Sequence, residues 1–176
     1  MTRVVLSIGS NLGDRLARLQ SVVDALGEAV IAVSPVYETD PWGGVDQGPF
    51  LNAVVIAEDG RRDAQDWLGF AQDLERAADR VRGQKWGPRS LDVDLVRVEQ
   101  RAADGSWQDV LSRSDGLTLP HPLTHLRAFV LIPWLDVEPD AQLPITDTDR
   151  PVARLLAEID AVERTGVRPT DLELRR

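Results

Sequence analysis

"KWGPRSLDVDLV", residues 85–96, runs straight from a stiff cationic loop into the most strand-like segment of the chain. In a strand, side chains alternate between faces. Leu91, Val93 and Leu95 therefore share one face and Asp92 and Asp94 share the other. One face is fit to cover a core, and the other holds two carboxylates roughly 7 Å apart along the strand. A strand with one apolar face belongs to an antiparallel sheet with layers on one side.

The same reading extends to both sides of this stretch. "RVVLSIG" (3–9) is a β-branched run ending in Gly, and "FLNAVVIAE" (50–58) is another strand. "VIAVSPVYET" (30–39) reads as a strand interrupted by Pro35, hence an edge strand or a bulge. Between the first two strands, Leu12, Leu16, Leu19, Val22, Val23 and Leu26 recur at helical spacing, with Asn11 as the expected N-cap and Asp14 in the first turn. Residues 63–80 repeat that period through Trp67, Phe70, Leu74 and Ala78. The order is strand, helix, strand, strand, helix, strand. That predicts an α+β, ferredoxin-like βαββαβ core: an antiparallel sheet with both helices on one face. Added to it are an expected hairpin over residues 95–120 turning near Ala103 to Gly105, a helical segment from Leu123 to Leu135, and a short helix near Pro151 to Ile159.

The chain has 176 residues, 43% of them hydrophobic and 28% charged, which predicts one globular domain over 1–176. A formal net charge of −9 argues against bulk binding to nucleic acid or an anionic membrane. Cysteine is absent, so disulfides and thiolate metal sites are excluded. With no signal-like or spanning apolar run, the expectation is a cytoplasmic protein.

Against that acidic background, Arg80, Arg82, Lys85 and Arg89 form a concentrated cationic patch beside Asp92 and Asp94. Two carboxylates supply hard oxygen ligands for Mg²⁺, which keeps waters and substrate phosphates in its shell. Guanidinium groups bind phosphate oxygens in bidentate fashion. Together they make a constellation for a polyphosphate. An isolated D-x-D is more often a solvated strand face, and basic residues at a helix end also suit the helix dipole. Neither of those readings accounts for Arg89 and Trp86 beside Gly87-Pro88.

These residues resemble the signature of the 6-hydroxymethyl-7,8-dihydropterin pyrophosphokinase family: a basic residue, then Gly-Pro-Arg, then Asp-aliphatic-Asp and two aliphatics. "IGSN" (8–11), "YETDPWG" (37–43), "FLNAVV" (50–55) and "LPHPLTHLRAFVLIPWLDVEP" (119–139) follow the same family pattern in order. The resemblance implies transfer of pyrophosphate from ATP to the hydroxymethyl group of a reduced pterin, with release of AMP, in folate biosynthesis. It implies two Mg²⁺ ions held by Asp92 and Asp94, with Arg80 and Arg89 as the catalytic cations on the phosphates. Glu75, Arg82, Trp86, His121 and Arg127 are matched to ATP contacts, Arg82 and Trp86 on a closing loop. Phe50 and Phe129 are matched to a sandwich around the pterin, with Asn52, Thr39, Trp42, Gly9 and Asn11 around its edge. It further implies a monomer with ATP and the pterin as partners, and no nucleic acid or membrane.

Read without the resemblance, several of these positions stay open. Phe50 and Phe129 serve equally as core, Asn52 as a bulge residue, His121 as a turn histidine, and Glu75 as a solvated helix residue. Arg97 departs from the family's apolar run, and the alternation puts it on the Leu95 face, snorkelling outward. Pro122 and Leu123 depart after His121. Two rival functions use the same features: a non-catalytic ligand-binding module, and a nucleotidyltransferase or phosphatase built on the two acids.

Overall fold

The structure, a computed structural model, describes residues 1–41, 46–78 and 90–176. Strand β1 (Thr2–Ser10) lies between β4 (Phe50–Asp59) and β5 (Asp92–Arg101), antiparallel to both. The 30–39 segment splits at Ser34-Pro35 into β2 (Val30–Val33) and β3 (Tyr37–Thr39), and both pieces pair with β4. Ser34 bridges the break: its backbone N–H donates to the Val54 carbonyl (2.9 Å), and its hydroxyl accepts from Val54 N–H (2.8 Å). The core order is thus the ferredoxin-like one expected, with the proline break made safe by a serine.

Helix α1 (Arg15–Leu26) and helix α2 (Ala64–Ala78) cover one face of the sheet. The N-cap of α1 is Asp14, whose carboxylate accepts from Ala17 N–H (3.1 Å), so the cap falls three residues later than Asn11. Asp has the same short acceptor as Asn, and the helix starts where Gly13, at φ 73°, allows the chain to turn. At α2, Asp63 and Asp66 accept from each other's backbone N–H groups, a reciprocal cap. Under the helices, Val4, Leu6, Ile8, Leu19, Val22, Val55, Trp67, Val93 and Leu95 form the first core, and each large side chain buried there contributes about 1.5–3 kcal/mol. Trp67 keeps its indole N–H satisfied on the Thr2 hydroxyl (2.9 Å).

A β-bulge decides what the rest of β5 does. Leu6 pairs with Leu95, but Val5 pairs with Arg97, so Val96 is an extra residue on β5. Beyond it the alternation is reversed. Arg97 stands on the outer face, not on the Leu95 face that strict period-two reading assigns. There it makes a bidentate pair with Asp109 (2.6 and 2.9 Å) and contacts Glu99 (3.1 Å).

The 95–120 region forms two small hairpins rather than one. β5 pairs with β6 (Trp107–Asp109) around the expected turn, then β7 (Ser112–Arg113) pairs with β8 (Thr118–Leu119). A 3-10 turn at Thr124–Leu126 leads into α3 (Ala128–Val137), a strongly apolar helix that buries Ala128, Val130, Leu131, Pro133 and Trp134 and leaves Asp136 exposed. It packs on the outer face of the sheet with Val5, Val54, Ile56 and Val96 as a second core. The short helix expected near Pro151 to Ile159 is α4 (Val152–Glu158), and around it the chain adds β9 (Gln142–Ile145) and β10 (Thr148–Pro151) as a hairpin, α5 (Ala161–Thr165) and β11 (Val167–Pro169). Strand β11 returns to pair with β3 at the sheet edge. The sheet order is β11-β3-β4-β1-β5-β6. α3 and α4 seal only part of the outer face, and the end carrying Asp92 and Asp94 is left open.

Candidate active site

Two cross-strand rows build the floor of the open end. Asn52, Gly9 and Asp92 sit side by side on β4, β1 and β5, and Val54, Ser7 and Asp94 form the next row. The floor is anchored from behind: Glu75 on α2 accepts from Val93 N–H (2.9 Å), locking the start of β5 to the helix. Gly9 is required by close approach, because a Cβ there would stand 2.4 Å from the Asn52 Oδ1. Asn52 in turn donates to the Thr39 hydroxyl (2.6 Å), and both side chains are buried. Its amide is thus held in one orientation at the pocket floor, a donor and acceptor fixed for a planar ligand edge.

The chain between β8 and α3 forms the far wall. His121 donates its backbone N–H to the Val96 carbonyl at the bulge (3.0 Å), so the same irregularity that turns Arg97 outward also seats this wall. The imidazole Nδ1 accepts from Leu123 N–H (3.3 Å), which leaves the proton of the neutral ring on Nε2. Burial, with Arg127 adding to it, holds His121 below its ordinary 6.5 against the pull of Asp94. The ring is therefore a neutral donor at pH 7. Arg127, at the start of α3, is nearly buried, with its guanidinium 3.9 Å from the Asp94 carboxylate and 5.6 Å from the centre of the Phe129 ring. Burial works against the Arg127 charge while Asp94 and Asp92 support it. Asp94 itself is 42% exposed, directed to the open side.

These walls enclose a cavity of about 440 Å³. Of the sequence-predicted residues, Gly9, Thr39, Phe50, Asn52, Glu75, Asp92, Asp94, His121, Arg127 and Phe129 line it. Asn11 does not; its amide donates to Gln47 (2.8 Å) and to the Gly48 carbonyl (3.2 Å), tying the 46–49 segment to the end of β1. Trp42, Arg80, Arg82, Trp86 and Arg89 lie outside the described residues. Sequence reading missed Ser7, Asp40 and Gln47 on the lining. Alternation from Gly9 contains the signal for Ser7, but nothing local marks the other two.

A second cavity of about 340 Å³ adjoins the first and shares Glu75, Asp94, His121 and Pro122 with it. Leu68, Ala71, Leu95 and Leu117 give it an apolar side. The site is thus two compartments meeting at Asp94. Among the described residues no group of three or more His, Asp or Glu side chains converges as a closed metal cage. Two carboxylates opening on a cavity do fit Mg²⁺, whose remaining ligands come from water and phosphate.

A model of the 7,8-dihydro-6-hydroxymethylpterin-pyrophosphokinase (HPPK) family matches residues 5–139. The 2-amino-4-hydroxy-6-hydroxymethyldihydropteridine pyrophosphokinase of Mycobacterium tuberculosis is 62% identical over 168 residues, covering 96% of this chain and 89% of that one. The Mycobacterium leprae enzyme of the same name is 60% identical over 176 residues, covering 99% and 92%. That of Pseudomonas aeruginosa is 38% identical over 146 residues, covering 81% and 84%. Among solved structures, wild-type Plasmodium falciparum HPPK-DHPS with pteroate superposes with a TM-score of 0.62 at 13% identity. That match covers 89% of this chain but only 44% of that longer one, and it speaks to the fold alone.

Proposed function

This chain belongs to the 7,8-dihydro-6-hydroxymethylpterin-pyrophosphokinase family, and from that membership we propose how its two compartments divide the reaction. It is a pyrophosphokinase of folate biosynthesis, with ATP as co-substrate and 6-hydroxymethyl-7,8-dihydropterin as acceptor. The larger cavity takes the pterin. Phe50 and Phe129 stack on its ring, and Asn52, fixed by Thr39 and given room by Gly9, reads its amino-pyrimidinone edge. The adjoining cavity takes the nucleotide base against Leu68, Ala71, Leu95 and Leu117. The triphosphate then lies across the junction, where Glu75, His121 and Arg127 border Asp94.

Asp92 and Asp94 would hold the two Mg²⁺ ions, which would supply neutralisation of the phosphate charge. Arg127 adds a fixed cation, and neutral His121 donates from Nε2 to a phosphate or ribose oxygen. By the family resemblance Arg80, Arg82, Trp86 and Arg89 serve the nucleotide and Trp42 the pterin, while Asn11 acts from behind the lining by holding Gln47. The pterin hydroxyl oxygen bonds to the β-phosphorus and gives up its proton to solvent, the bond from that phosphorus to the α-phosphate oxygen breaks, and AMP leaves in line, carrying that oxygen. Positioning and charge neutralisation are the main requirements of such a transfer. The chain works as a cytoplasmic monomer, one domain over 1–176. Among the described residues no helix is long and apolar enough to cross a membrane.

One observation carries this reading: both strand acids open onto the cavity that holds Phe50, Asn52 and Phe129. The test is product analysis after incubation with Mg-ATP and the hydroxymethyl dihydropterin. Equimolar AMP and pterin diphosphate are expected; ADP or free pyrophosphate in their place rejects the assignment.

A further inference from the structure

Strand β3 supplies one wall of the larger cavity and is only three residues long. On its inner side it pairs with β4, putting Thr39 opposite Phe50. On its outer side lies β11, from a segment beyond residue 139 where the family match ends. Val167, Arg168 and Pro169 pair with Thr39, Glu38 and Tyr37. The backbone link continues one residue further, with Asp40 N–H donating to the Gly166 carbonyl (3.1 Å).

Charges reinforce this link. Arg168 donates to the Asp40 carboxylate (2.9 Å) and stands 3.9 Å from Glu38. Glu38 also receives Arg15 (3.1 Å), and the same Arg15 group donates to the Pro49 carbonyl (3.0 Å). A chain of contacts therefore runs from Arg168 through Glu38 and Arg15 to the residue before Phe50. Asp40 lines the larger cavity itself, and Gly166 lies so close that a Cβ there would stand 3.1 Å from the Asp40 carboxylate. No residue of β3 lines the adjoining cavity.

We propose that Arg168 is a positioning residue for the acceptor: it fixes Asp40 and Glu38 so that the β3 wall and the Pro49-Phe50 corner hold the geometry that binds the flat heterocycle. This rests on the assignment of the larger cavity to the pterin. Arg168 and Asp40 are both substantially exposed, so their pair adds little to global stability. Its effect is local order at a wall that touches one substrate and not the other.

The test is steady-state kinetics of the full chain with Arg168→Ala, Arg168→Lys and, as a charge-matched control, Arg164→Ala. Arg168→Ala is expected to raise the pterin KM about fivefold, the range of an exposed ion pair, with the ATP KM and Tm unchanged. Lys should recover part of the loss, Arg164→Ala should change nothing, and raising salt should weaken pterin binding more in the parent than in Arg168→Ala. An unchanged pterin KM overturns the inference, as does a joint rise of both KM values with a lower Tm. If the parent chain releases no AMP with the pterin, the functional reading fails first; normal turnover with an indifferent Arg168→Ala rejects the positioning role alone.

Discussion

The outer face of the central sheet carries charge at both ends, and the ends are built in opposite ways. At one end, Arg97 and Glu99 on β5 stand beside Arg3 on β1 and Asp109 on β6, under the Glu138 carboxylate at the end of α3. Arg97 and Glu99 are only 12% and 10% exposed, and Trp134 donates its indole N–H to Glu138 (2.7 Å), closing the group. At the other end, Asp92 and Asp94 sit on the same strand and face, before the bulge, with a cavity above them. Charge that is covered must be neutralised by the protein's own groups, whereas charge beside a cavity is available to a ligand. The bulge at Val96 separates the two regimes.

Alanine in place of Asp92 or Asp94 separates them most sharply. Turnover should fall by about 10³-fold, the scale of removing a principal electrostatic contact to transferring phosphate, while Tm changes little. Stopped turnover with an intact melting curve is the expected pair of results; a collapsed fold would place these acids with the covered end. The covered end should behave the other way. Arg97→Met leaves the part-buried Asp109 without its cation and buried Glu99 with Arg3 alone, at a cost of about 3 kcal/mol. Chemical denaturation should register that loss, with kcat per folded molecule retained; unaltered stability would mean that the pair is solvated.

Glu99 sharpens the comparison with the smallest effect. Burial, aided by Asp109 and Glu138, raises it above its ordinary 4.5 despite Arg97 and Arg3. Arg97 meanwhile is pushed up by its hydrogen bond to Asp109 and by the acids around it, although burial opposes this. The two directions agree on an over-acidic cluster in which Glu99 bears the burial cost. A carboxyl raised in the fold contributes stability that is fully present below 4.5 and is lost as pH rises through its folded value. Glu99→Gln keeps an acceptor for Arg97 and removes that loss. Tm of the variant relative to the parent should therefore rise between acid and neutral pH, and a constant difference across that range would contradict the assignment.

Much of this was legible in the chain. Alternation in "SLDVDLVRV" put Asp92 and Asp94 on one face, and the helical spacing of Leu19, Val22, Val23 and Leu26 identified the covering helix. Local pattern failed where distant contacts decide. Strict period two carried Arg97 to the wrong face because a bulge is set by the partner strand and by the Val96 carbonyl's bond to His121. Asn11 and Asp14 are equivalent as caps in sequence, and only the turn at Gly13 selects Asp14. β11 is too short to show a strand pattern and exists because β3 offers it an edge. Asp40 reaches the pocket at the end of β3, and Gln47 is held there by Asn11.

The central claim is that Asp92 and Asp94, which both open on the larger cavity, hold the Mg²⁺ that binds the triphosphate. Calorimetric titration of an unreactive ATP analogue, with and without Mg²⁺, into the parent chain and into Asp92→Asn and Asp94→Asn tests it directly. Tight binding in the parent only with Mg²⁺, lost in both variants at unchanged Tm, is the predicted result. Equal Mg²⁺-dependent binding in all three proteins would contradict it.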